Sequence, residues 1–103
     1  MYQSKNINVL IAKLGNLSAW KRTGIVDYIT EDELYINYTQ DTMPRCVCGK
    51  VIQYHHEIKN FETGETCIVG SECINNFRSL PGTRRASELA QYAKEDKLNQ
   101  CGA

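Results

Sequence analysis

The sequence predicts a single small α+β domain of 103 residues. Three observations carry that expectation. Apolar residues recur at helical spacing near the N-terminus, β-branched and aromatic runs suited to strands fill the middle, and an alanine-rich helical pattern closes the chain. With 42% hydrophobic and 23% charged residues the composition is that of a globular protein rather than a disordered one. A chain this short buries a modest share of its surface, so an added staple would strengthen it.

The elements follow in order. Ile7, Leu10, Ile11 and Leu14 mark one face of an amphipathic helix, which Gly15 is placed to end. Residues 25–29 and 34–38 read as strands, and the polar stretch Thr30-Glu31-Asp32-Glu33 between them suits a hairpin turn. A short helix within residues 17–28 is the competing reading. Residues 1–44 are thus expected to form an N-terminal helix and β-hairpin region. Beyond the break at Pro81-Gly82, Thr83 or Ser87 caps a helix running to about Leu98, with Ala86, Leu89, Ala90 and Ala93 facing inward. Residues 81–103 make this C-terminal helix and a tail that carries Cys101, expected to be a free thiol.

Between these regions, residues 45–80 hold the chemistry. Five cysteines is an odd count, and in a reducing compartment clustered cysteines read as metal ligands before disulfides. Cys46-Val47-Cys48-Gly49 forms a tight knuckle, because Gly49 can take a positive φ beside the two sulfurs. Residues 51–58 suit a strand, residues 60–65 a turn, and residues 66–69 the returning strand. Gly70-Ser71 then opens a helix with Ser71 as N-cap and Ile74 and Phe77 on its buried side, which places Cys73 in the first turn. A helix N-terminus favours the thiolate that a metal requires.

Knuckle, hairpin and helix start together give a zinc-stapled, treble-clef-like plan. One structural zinc would be held by Cys46, Cys48 and Cys73, with His56 the first choice as fourth ligand and Cys67 and His55 the alternates. His56 shares a strand face with Ile52 and Tyr54, whereas His55 points the other way.

The run Cys-Val-Cys-Gly, Ile-Gln-Tyr-His-His, Thr-Gly and Ile-Val-Gly-Ser-Glu-Cys-Ile-Asn-Asn-Phe resembles a small zinc-binding module. That module occurs in bacteriophage, large DNA virus and mobile-element proteins. The match covers roughly residues 45–78 and aligns the module's strand histidine with His56. Some members carry a cysteine where this chain has Ser71. The resemblance implies a zinc site and a phage or viral origin, and brings no defined activity.

Function classes are narrowed by charge and by what the motif lacks. Lys plus Arg and Asp plus Glu both number 12, so the basic excess typical of nonspecific nucleic-acid binders is missing. A catalytic zinc needs an open position and a nearby base, yet Glu57 falls on the strand face opposite His56. A ββα-metal nuclease would need a metal-binding histidine on the helix, where this chain has Asn75 and Asn76. The expectation is a non-enzymatic protein that binds a protein partner, in a virus a host enzyme or regulator of transcription, nuclease or defence machinery. A nucleic-acid-binding zinc finger is the alternative, with Lys50, Lys59, Arg78, Arg84 and Arg85 on phosphates and Tyr or Trp20 for stacking; the nuclease comes third. Nothing approaches the roughly 20 apolar residues of a membrane helix. With no signal peptide read at the start, the expected compartment is the cytoplasm, that of the host if the chain is viral.

Overall fold

The computed structural model describes residues 7–101, with side chains through residue 99. The expectation of a free thiol at Cys101 lies outside the described side chains. The order of elements is α1 (Ile7–Leu14), a 3-10 turn (Leu17–Ala19), β1 (Trp20–Tyr28), α2 (Glu31–Asn37), β2 (Tyr54–Asn60), β3 (Thr66–Val69), a second 3-10 turn (Cys73–Asn76), β4 (Arg78–Ser79) and α3 (Ala86–Cys101). The strands form one sheet in the order β3-β2-β1-β4, antiparallel except for the β1–β4 pair. The α+β class is as the sequence predicts.

In α1 the stripe is narrower than its sequence suggests. Leu10 is wholly buried, whereas Ile11 on the same predicted face is 48% exposed. The helix is secured at its C-terminal end by Trp20, whose Nε1 donates to the Leu14 carbonyl at 3.0 Å while its ring packs into the core.

The N-terminal hairpin does not form. Residues 20–28 are one long strand, and residues 31–37 are helix α2 rather than its partner. The cause is local: the Thr30 hydroxyl accepts the Glu33 backbone N–H at 3.2 Å, and the Glu33 carboxylate accepts the Thr30 N–H at 3.4 Å. That reciprocal cap, with Glu31, Asp32 and Glu33 at the positive end of the helix, outweighs the strand preference of Tyr35 and Ile36. Only Leu34 of α2 is buried. β1 pairs instead with β2, in a register that slips between Arg22 and Val26, where Gly24 takes φ +92°.

A second correction concerns the segment after Gly70. The α-helix expected there is a four-residue 3-10 turn with Glu72, not Ser71, at its N-cap, and no side chain caps it. The chain then leaves as β4, because its next use is to pair Arg78 and Ser79 alongside Lys21 and Arg22 of β1. The last helix forms where predicted and runs on to Cys101, and Ala86, Leu89, Ala90 and Ala93 are half-buried as expected, together with Glu88 and Lys97. It lies on the sheet face that carries Tyr28 and Tyr54, whose rings sit 4.9 Å apart. There the Lys94 ammonium is 5.9 Å from the Tyr28 ring centre.

The core is one contiguous cluster. Leu10, Trp20, Ile58, Val69, Ile74 and Phe77 pack with the side chains of Cys46 and Cys73. The thiols are therefore part of the core as well as of the candidate site.

Candidate metal centre

The knuckle is built by its own backbone. Gly49 N–H donates to the Cys46 carbonyl and Cys46 N–H to the Lys50 carbonyl, each at 2.8 Å, with Gly49 at φ +101°. Residues 45–52 then dock on the free edge of the sheet, where Val47 N–H donates to the Ile68 carbonyl of β3 at 3.2 Å. The approach is close enough that a Cβ on Gly70 would lie 2.7 Å from Ile52 Cγ2, so a larger residue there would have to push the Ile52 side chain aside. Gly70 in turn leads into the second 3-10 turn, its carbonyl accepting from Ile74 N–H at 3.0 Å. That turn delivers Cys73 to the knuckle, and Asn76 Nδ2 donates to the Cys73 carbonyl at 3.2 Å.

The result is a convergence of the Cys46, Cys48 and Cys73 sulfurs, all within 4.8 Å of one another. Cys46 and Cys73 are 4% and 2% exposed, while Cys48 is half-buried. Burial pushes the Cys73 thiol up to about 12, and its two sulfur neighbours add to the rise. At Cys48 burial also raises the thiol, but the Lys50 N–H and the Cys46 and Cys73 thiols outweigh it, and the net direction is down. Three thiols this close in a largely dry setting repel one another as anions, and a bound cation is what would stabilise them together. The geometry fits one: sulfurs bound to a single tetrahedral zinc sit about 3.8 Å apart, given Zn–S bonds near 2.3 Å. These three cysteines can hold a metal ion. A cavity of about 250 Å³ opens beside them, bordered by Ile52, Gly70 and Glu72.

The three remaining candidates, His56, Cys67 and His55, lie outside this convergent group. His56 sits on β2 between Val26 and Val69, 2% exposed, and its Nε2 has no hydrogen-bond partner. Burial, then the positive charge of Arg22 and the neighbouring His55, lowers its pKa to about 4, so the ring is neutral near pH 7. Tyr54 and Ser71 border both the cavity that His56 lines and the cavity beside the thiols. His55 Nε2 lies 2.9 Å from the Ile52 carbonyl, a bond that uses the ring's N–H there. Burial lowers its pKa, opposed by that carbonyl and by Asp27. Cys67 is half-buried opposite Ile58, and burial, followed by Glu65, raises its thiol.

Glu57 accepts from the Thr23 hydroxyl at 3.0 Å. Asn75 and Asn76, weighed above against a nuclease histidine, bond to the main chain at Ser71 and Cys73. The sequence reading missed Ile52 and Asn76 as supports of the centre. Ile52 could be found only through its contact with Gly70, a residue distant in the chain.

No described helix is long and apolar enough to cross a membrane. Comparison of the chain with protein-family models, with curated proteins and with solved structures gives no significant match.

Proposed function

We propose that the three-cysteine centre holds one structural zinc ion and that the chain acts, without catalysis, by binding a protein partner. Soft thiolate donors close enough to share one ion favour borderline-soft zinc over the hard cations. His56 is the residue proposed for the fourth position, since its buried, neutral and unpartnered Nε2 is in the form that ligates a metal. Knuckle, β2–β3 hairpin and cysteine-bearing turn follow a treble-clef-like plan, with the 3-10 turn where a longer helix would stand. The motif resemblance supports a phage or viral source and a partner among host enzymes or regulators.

The observation that carries the partner reading is α2. Its outer face presents Tyr35 and Ile36, 71% and 80% exposed, on a helix fixed by a complete cap. Large apolar side chains held rigidly in water are the usual anchors of a protein interface. The test joins both halves. Metal analysis of the purified chain is expected to give about one zinc, reduced in His56→Gln. A tagged chain is expected to retain a stoichiometric protein partner that Tyr35→Ser with Ile36→Ser releases at unchanged zinc content. Metal-free, fully folded protein would overturn the first half, and partner retention by the double variant the second.

A further inference from the structure

The sheet register brings together three cations that are far apart in sequence. Lys21 of β1 is directly opposite Lys59 of β2 on one side and Arg78 of β4 on the other. Directly opposed residues project to the same face, so Lys59, Lys21 and Arg78 form a row across three neighbouring strands, with strands about 5 Å apart. Like charges so placed oppose folding. Among the described residues none of the three is ion-paired. The nearest acid by register, Glu57, is two residues along β2 and bonds to Thr23.

At the end of the row stands Phe61, 50% exposed, with the Lys59 and Lys21 ammoniums 5.5 and 5.9 Å from its ring centre. Its backbone N–H donates to the Ala19 carbonyl at 3.0 Å, which fixes the base of the side chain at the end of the β1–β2 pair. The other basic residues weighed for phosphate contact are engaged elsewhere: Lys50 with Glu72, Arg85 with Glu88, and Arg84 over Tyr92. Trp20 is buried, so it is no stacking platform.

We propose that Lys59, Lys21, Arg78 and Phe61 form a binding site for single-stranded nucleic acid. The row takes consecutive phosphates and the exposed ring stacks a base. A flat aromatic flanked by cations matches both faces of such a strand, its charged backbone and its π-surface. A duplex keeps its bases stacked inside and offers the ring nothing. An acidic peptide would meet the charges and leave the ring unused. The site is carried by sheet register and by the contacts of Phe61, independently of α2, and it is tested on the metal-loaded chain because Lys59 and Phe61 lie within the segment tied by the cysteines.

The experiment titrates a short fluorescein-labelled oligothymidylate, the same strand annealed to its complement, and fluorescein-labelled polyglutamate, against the full chain. The single strand is expected to bind best at low salt, with log affinity falling against log salt at a slope of about −2 for three phosphate contacts. Lys21→Gln and Lys59→Gln should each flatten that slope by about 0.7. Phe61→Ala should weaken binding about tenfold at unchanged slope. Because each Lys→Gln change relieves repulsion within the row, the melting temperature is expected to hold or rise as binding falls. No binding at low salt, tighter binding of duplex or polyglutamate, or a lower melting temperature with undiminished binding would overturn the proposal.

Discussion

Residues 45–77, which supply two strands of the sheet, and helix α3, which packs on it, are held by different means. The first segment contributes Cys46, Ile58, Val69, Cys73, Ile74 and Phe77 to the buried core. Much of it is irregular, since only β2, β3 and one 3-10 turn are regular structure. In α3 sixteen residues form an uninterrupted helix, yet none of its described side chains is fully buried. The comparison teaches where each region's order comes from. A helix satisfies its own backbone and needs only a docking face. A loop-rich segment must be tied across long sequence distances, and the convergence of Cys46 and Cys48 with Cys73 is the tie.

The largest expected effect breaks that tie. Cys73→Ser, or chelation of the metal, should unfold residues 45–77, because structural zinc in small modules contributes on the order of 10 kcal/mol. Cys67→Ser should keep its metal and lose little. Zinc content and circular-dichroism melts check this, and equal losses in the two variants would erase the distinction between tie and bystander. Phe77→Ala comes next, at about 3 kcal/mol, because a buried aromatic leaves a cavity. Denaturant midpoints at constant slope would read it. Gly70→Ala should cost about 1–3 kcal/mol, since the new methyl meets Ile52 at 2.7 Å. The same melts apply, and an unchanged midpoint would mean the loop yields freely. Smallest is Ala93→Gly in α3, at about 1 kcal/mol. A larger loss there would show that α3 is as closely tied as the cysteine segment.

Much of the thiol region was legible in the sequence, because its signals are local. Cys46-Val47-Cys48-Gly49 encodes its own turn, and the β2–β3 hairpin follows from strand-forming runs around Asn60–Glu65. The short alanine face of α3 was equally readable. What failed was the N-terminal hairpin, where Leu34-Tyr35-Ile36 has strand chemistry. The competing signal was present: Thr30 and Glu33 are spaced as a capping box, and three acids open the helix. Two residues of β4 are too few to leave a pattern, and the 3-10 turn at Cys73 differs from a helix only in how soon β1 reclaims the chain. The row of Lys59, Lys21 and Arg78 could not be read at all, since it exists only through strand register.

Trp20 offers a practical consequence. It is the chain's sole tryptophan, its ring sealed in the core and its indole N–H bonded to the end of α1. The molecule thus carries an intrinsic fluorophore in its N-terminal half. Its emission would redden when water reaches that half, without any label. Stripping the metal while watching that one spectrum would tell whether damage at the cysteines stays local or spreads through the whole domain.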